Sequence, residues 1–254
     1  MPETSVEDET ETMPSKTSMG RIWQNLRHPA AVTLLGFLLT TFIGSQYDQI
    51  LNERARLAAM EQQSVEELEA FAELVYERQV RTDLVRSAVN RRNREEAIAR
   101  KTAYDAIYVR WNTELYSHIK SLRSLIGREF ELTPYDDAIQ MAIIPSFVCS
   151  DALVTNAYDW SYRTGFEKKP PVGSITSDSC KGKDTSDWQG FLKRERDRVR
   201  NCTHAILDNM LPQIRSLSSL PKDKVIGKAA RDQQNAAILD QLARTCLFAI
   251  ESVR

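Results

Sequence analysis

The chain has 254 residues, 27% of them charged, and its 34 basic residues nearly balance 35 acidic ones. The mean hydropathy of −0.43 excludes a transporter with many membrane spans, and the net charge of −1 gives no general attraction to nucleic acid. Nine glycines and nine prolines are few for this length, which favours long helices.

The first predicted elements are a polar tail and a short connecting segment. Residues 1–20 are acidic and contain no aromatic side chain, so they carry too little apolar surface to fold and are predicted to be a disordered acidic tail. Residues 21–28 include Trp23, which suits a lipid headgroup region, and are predicted to be a juxtamembrane segment.

Residues 29–47, "PAAVTLLGFLLTTFIGSQY", contain no charge. As a helix they span roughly 28 Å, about the thickness of the hydrocarbon core of a bilayer. A cleaved signal is disfavoured because Phe42 and Ile43 occupy the −3 positions of the candidate cuts, where small residues are needed. A buried core helix would normally carry charge on one face. The segment is therefore predicted to be an uncleaved transmembrane helix in a lipid bilayer.

Small residues recur every four positions within this segment, at Gly36, Thr40 and Gly44. Such spacing lets two helices approach closely, which predicts a homodimer through this transmembrane seam. Simple tolerance of small residues in lipid is the alternative, and the sequence leaves it open.

The basic residues that flank the segment predict its orientation. Three precede it and two follow it at a similar distance, namely Lys16, Arg21 and Arg27 against Arg54 and Arg56. Because positive residues accumulate on the cytoplasmic side, the N-terminus is predicted to be cytoplasmic and the C-terminal domain extracytoplasmic.

Residues 48–126 contain neither glycine nor proline and show apolar residues at helical spacing. The run "NRRNREE", Asn90 to Glu96, has no apolar residue, so the segment is predicted to be one long helix or a helical hairpin. A clear apolar stripe from Tyr104 to Ile126 follows, and Gly127 is placed to end that helix.

Residues 127–254 are predicted to form a helical bundle. One helix begins at Thr133 as N-cap and bends near Pro145, and a long surface loop occupies residues 165–187. Asp187 is placed to cap a helix to about Leu217, and a last helix runs over 222–252. The predicted fold class is all-α: a transmembrane helix followed by an antiparallel bundle of four to five helices with one long loop.

Four cysteines lack any CxxC spacing and predict two disulfides in an oxidising compartment, with four free thiols in a reducing one as the alternative. If the last two helices turn near residue 219, Cys202 lies about 13 Å along the axis from Cys246, too far for a bond. The predicted pairs are therefore Cys149–Cys202 and Cys180–Cys246.

No catalytic, cofactor or metal motif is complete. Glu114 and His118, one helical turn apart, form the best local acid–base or metal pair, and an ordinary surface pair is the other interpretation. An aromatic cluster before the long loop indicates either a ligand or partner surface or packing at a helix end, and comprises Tyr158, Trp160, Tyr162 and Phe166.

The leading hypothesis is a single-pass, non-enzymatic accessory or scaffold partner of an unidentified membrane or envelope protein, without cofactor, metal or nucleic acid. The alternative is an extracytoplasmic small-ligand sensor that signals through a partner. A weaker alternative is a hydrolase or metal enzyme that uses Glu114 and His118.

Overall fold

The computed structural model describes residues 29–127, 130–217 and 228–247, which form helices joined by turns and loops without a strand. The predicted acidic tail and juxtamembrane segment lie outside these residues. The chain divides into two compact units, Met1–Ala55 and Arg56–Arg254. The prediction of an all-helical fold is confirmed.

Helix α1, Pro29–Arg91, and helix α2, Arg94–Ile126, are separated by a tight turn. Arg92 adopts a left-handed backbone conformation there, with φ 62°. Asn93 then caps α2 by accepting a hydrogen bond from the Glu96 amide at 3.1 Å. The charged run from Asn90 to Glu96 therefore contains the turn between the two helices.

Within the second unit, α1 and α2 pack as an antiparallel hairpin. Far from the turn, His118 lies 2.7 Å from Glu67. Nearer to the turn, Arg100 donates to the Leu84 carbonyl at 3.3 Å. Within the second unit, residues 56–126 therefore form a helical hairpin.

The third helical segment of the bundle consists of three parts. A short α3, Thr133–Ala138, leads through a π-helical segment, Ile139–Ile143, into α4, Ile144–Thr164. Pro145 lies in the first turn of α4, directly after the π-helical segment, and has no N–H to donate to that preceding turn. The prediction was a bend near this proline, and the structure shows a change of helix type just before it.

Thr133 is not the N-cap, which corrects the prediction for this helix start. Leu132 holds that position without a side-chain cap. The Thr133 hydroxyl donates instead to the Glu131 carboxylate, which also accepts the Thr133 amide at 3.1 Å. The hydroxyl is therefore a donor to this carboxylate, and this helix start has no side-chain cap.

Helix α5, Trp188–Arg215, begins where Asp187 accepts a hydrogen bond from the Gly190 amide at 3.1 Å. It runs antiparallel to α1, because Arg196 contacts Asp83 at 2.7 Å while Gln189 reaches Asn90 at 3.0 Å. Helix α6, Lys228–Leu242, continues as a π-helical segment, Ala243–Leu247, and packs on α5 and α3. The predicted ends of this last helix lie outside the described residues.

Two apolar clusters fill the second unit. One includes Phe71, Trp111 and Ile206, and the other includes Val85 and Leu153. On α1, the buried polar residues between the clusters are Arg78, Gln79 and Thr82. We call the buried set around Arg78, Asp151 and Tyr104 the polar layer.

Candidate functional site

The first part of α1 exposes an unusual number of apolar side chains. Its large residues are between 48% and 70% exposed, namely Val32, Leu34, Leu35, Phe37, Leu38, Leu39, Phe42 and Ile43. Their transfer out of water is worth on the order of 10 kcal/mol at half exposure. An apolar medium or partner is therefore the favoured environment for this part of the helix.

The hydroxyl groups here bond to their own helix. Thr40 donates to the Gly36 carbonyl at 2.7 Å and Thr41 to the Phe37 carbonyl at 2.8 Å. Such internal bonds are the arrangement that a hydrocarbon environment requires. A methyl group built on Gly36 or Gly44 would meet nothing within 4 Å, so the seam is open and its self-association stays a prediction.

Within the described residues, the helical segment that is long and apolar enough to cross a membrane by composition is Thr133–Thr164. Its most apolar part is 61% buried inside the protein. It also carries the buried carboxylate of Asp151. These features are typical of the central helix of a bundle.

All four cysteines form disulfides, but the predicted pairing is wrong. The structure pairs Cys149 with Cys180 and Cys202 with Cys246, with Cα–Cα distances of 4.9 and 4.8 Å. Each disulfide belongs to a different apolar cluster. The bonds therefore brace the two parts of the core separately.

The first pairing follows from the loop over residues 165–187, which packs onto α4. Ile175 is buried, and Asn156 donates to the Thr176 carbonyl at 2.7 Å. The short 3₁₀ turn Asp178–Cys180 then meets α4 beside Cys149. This segment was predicted to be a surface loop. The prediction missed that the loop folds back along α4, the helix that precedes it.

The second pairing depends on the connection between α5 and α6. A turn at residue 219 would place Cys202 opposite residue 237. The predicted turn lies outside the described residues, since the helices are described only to Arg215 and from Lys228. The pairing prediction failed because an error in an assumed turning point doubles in the opposing residue, so a small error was enough to exclude the correct partner.

Glu114 and His118 bind other partners. The Arg110 guanidinium donates to Glu114 at 2.9 Å, and His118 Nδ1 lies 2.7 Å from Glu67 Oε2 across the hairpin. No group of three or more His, Cys, Asp or Glu side chains suited to a metal ion occurs among the described residues. His118 thus helps to hold α1 to α2, whereas Glu114 forms an ion pair within α2.

The aromatic cluster packs largely against itself. Phe166 is buried, the Tyr158 ring stacks on Tyr162 with centroids 6.1 Å apart, and it meets Phe166 edge-on at 6.0 Å. Lys101 lies 5.8 Å from the Tyr158 ring centre. Trp160 is half-buried beside the second apolar cluster. This arrangement shows packing where α4 meets the loop, and a ligand or partner surface at the cluster stays a prediction.

The polar layer at the centre of the bundle was not predicted from the sequence. Arg78 is only 2% exposed, and its guanidinium donates through Nη2 to Asp151, which also accepts from the Tyr104 hydroxyl. The Nε and Nη1 atoms of Arg78 are buried without a hydrogen-bond partner among the described residues. A signal was present, because the apolar stripe of α1 is interrupted between Val75 and Val85.

Aromatic rings surround the rest of this guanidinium. The carbon of the Arg78 head group lies 4.6 Å from the ring centres of both Trp111 and Phe147. Cation–π attraction therefore replaces part of its lost hydration. Burial raises the pKa of the Asp151 carboxyl, and the nearby Arg78 charge and the Tyr104 hydrogen bond oppose that rise.

Buried tyrosines make stability depend on alkaline pH. Burial raises the pKa of Tyr135 to about 12, against a hydrogen bond from Gln213 that lowers it. The folded pKa lies above the unfolded value near 10, so between these values the unfolded chain loses a proton that the folded chain keeps. The free energy of unfolding should therefore fall as pH rises from 10 to 12.

Tyr135→Phe tests this dependence. Between pH 9 and pH 11 the wild type should lose about 1.4 kcal/mol more stability than the variant in urea unfolding. Tyr116→Phe, at a ring that is 59% exposed, is the matched control and should leave the pH profile as it is in the wild type. Parallel profiles for Tyr135→Phe and the wild type would contradict the assignment.

No family model, curated protein or solved structure matches this chain.

Proposed function

We propose that this chain is a single-pass, membrane-anchored, non-enzymatic accessory or scaffold protein. In this proposal the first part of α1 spans the bilayer. The N-terminus is cytoplasmic, and the disulfide-bonded bundle presents helical surfaces to another membrane or envelope protein outside the cytoplasm.

The observation that carries the proposal is the exposed apolar surface from Val32 to Ile43 on a helix without a charge before Asp48. A water-exposed surface of this size is costly for a soluble protein. Lipid removes that cost, and roughly 20 helical residues are enough to cross the hydrocarbon core.

The two disulfides support the proposed compartment. Disulfides persist in oxidising environments and are rare where glutathione keeps thiols reduced. Because every cysteine of the chain is paired, the bundle suits the outer side of the membrane. The preceding basic residues predict the same orientation.

The geometry also favours a scaffold over the two alternatives. Two small cavities, beside Met210 and beside Ser150, have about 20 Å³ each, room for roughly one water molecule. A small-ligand sensor needs an enclosed pocket of several hundred cubic ångströms, and the two larger hollows, of about 810 and 530 Å³, are open grooves on the surface. For a hydrolase, Glu114 and His118 are each held by a different charged residue.

Membrane fractionation of the full chain tests the anchor. The wild type should sediment at high speed, resist extraction with alkaline carbonate and dissolve in detergent. Leu35→Arg with Leu39→Arg should move the protein to the supernatant, because each arginine at mid-bilayer costs about 3 kcal/mol in insertion.

The matched control places two arginines on an exposed face of the bundle, as Val109→Arg with Tyr116→Arg. These two side chains, at 60% and 59% exposed, are comparable with Leu35 and Leu39, at 48% and 52%. The control variant should remain in the membrane pellet. Wild-type protein that stays in the supernatant without detergent would refute the anchor, and with it the proposed function.

A further inference from the structure

An open groove of about 810 Å³ runs between α1 and α5 on the surface of the bundle. Seven of its residues recur at steps of three and four along one face of α1, and two come from α5. They are Glu69, Ala72, Glu73, Tyr76, Glu77, Val80, Arg81, Leu207 and Leu211. From residue 69 to residue 81 the face is about 18 Å long, or roughly three helical turns.

The floor of the groove is apolar and partly open to water. Val80 is 54% exposed, and Leu207 and Leu211 are half-buried against the first apolar cluster. The Tyr76 ring lies 5.9 Å from that of His204 on α5. An apolar side chain that enters the groove would therefore lose contact with water on several sides.

One edge of the groove is acidic. Glu69, Glu73 and Glu77 follow one another at intervals of four residues on α1. Glu77 forms ion pairs with Arg81 at 3.5 Å and with Arg110 at 2.9 Å. Glu69 and Glu73 form no close ion pair with any residue that the structure describes, and the Glu73 charge acts on Arg110 at longer range. Both carboxylates can therefore face a partner.

We infer that this groove docks an amphipathic helix whose apolar stripe is flanked by Lys or Arg, supplied by the partner protein. The inference rests on the proposed function and names the surface it uses. An apolar floor matches the helix stripe, and a row of carboxylates matches the basic flank. The same carboxylates repel anionic lipid headgroups, which disfavours the membrane surface as the occupant.

Peptide binding to the full chain in zwitterionic nanodiscs tests the inference. The probe is a fluorescent 18-residue helical peptide with a leucine stripe flanked by lysines, and its counterpart has glutamate at every lysine position. Fluorescence anisotropy, corrected with empty nanodiscs, should show binding of the lysine peptide and none of the glutamate peptide at the same concentration.

Groove variants should weaken this binding. We expect Val80→Asp to raise the Kd of the lysine peptide about tenfold by placing a charge on the apolar floor. Glu73→Lys should raise it about threefold to fivefold by reversing one rim charge. Glu69→Lys should act in the same direction, and all three positions are exposed enough for the fold to survive.

Val109→Asp and Glu95→Lys are the matched controls, at exposed positions of α2 outside the groove. Each should change the Kd by less than about twofold. The inference is overturned if the lysine peptide does not bind, if both peptides bind equally, or if groove and control variants behave alike. It is also overturned if Val80→Asp converts a dimer of this chain into a monomer in light scattering, since the groove would then hold a second copy.

This experiment and the membrane fractionation fail independently. Absent peptide binding removes the groove and leaves an anchored protein with its partner surface elsewhere. Peptide binding by a protein found in the supernatant would keep the groove and remove the anchor.

Discussion

Asp151→Leu should destabilise the protein by about 3–5 kcal/mol, because it leaves the Arg78 charge buried without its counter-ion. Arg78 is 2% exposed, and two of its nitrogens already have no hydrogen-bond partner in the part of the chain that the structure describes. Water cannot replace the lost carboxylate without opening the bundle. Urea unfolding with intact disulfides measures the change.

The double variant Arg78→Met with Asp151→Leu should recover most of that stability. Two apolar side chains of similar volume need no partner, and replacement of a buried ion pair in this way is often neutral or stabilising. The single Arg78→Met completes the cycle and should also destabilise, because Asp151 would keep only the Tyr104 hydrogen bond.

An exposed ion pair supplies the control for this cycle. Arg110 and Glu114 are about 40% exposed on α2, so Glu114→Leu should change stability by less than about 1 kcal/mol. If Asp151→Leu lowers the free energy of unfolding no more than Glu114→Leu does, the Arg78 side chain is not buried as it is in the structure.

Removal of one disulfide should cost about 4 kcal/mol in either cluster. The cysteines are separated by 31 residues in one bond and 44 in the other, and the loop-closure entropy of the unfolded chain gives nearly equal values for both. Cys149→Ser with Cys180→Ser should therefore remove one bond and leave the Cys202–Cys246 bond intact.

A second double variant makes the pairing itself testable. Cys149→Ser with Cys202→Ser breaks both bonds of the observed pairing, so the loss should approach about 8 kcal/mol, comparable to the whole stability of a typical domain. With the pairing Cys149–Cys202 the same variant would break only one bond. Equal stability of the two double variants, or a surviving disulfide in the second, would contradict the structure.

The elements best predicted from sequence were those with local signals. The stripe that ends at Ile126 and the glycine after it gave the end of α2, and Asp187 marked the start of α5. In each case the signal and the structure it causes lie within a few residues. The all-helical fold follows from such signals repeated along the chain.

The features that were missed depend on residues distant in sequence. Nothing near Arg78 shows that Asp151 will meet it, and arginine is normally exposed. The loop before α5 has turn-forming composition, yet Ile175 and Cys180 fix it to α4. The disulfide pairing required the axial offset of two helices, which no local pattern supplies.

The polar layer has a consequence for how the helices align. A bundle filled only with aliphatic side chains can shift one helix past its neighbour by a turn, about 5.4 Å, and still bury similar surface. Here such a slip would carry the guanidinium of Arg78 away from its carboxylate and into hydrocarbon. The buried ion pair thus fixes one axial alignment of the helices. Its cost is the desolvation of two charges, which an entirely apolar core would have avoided.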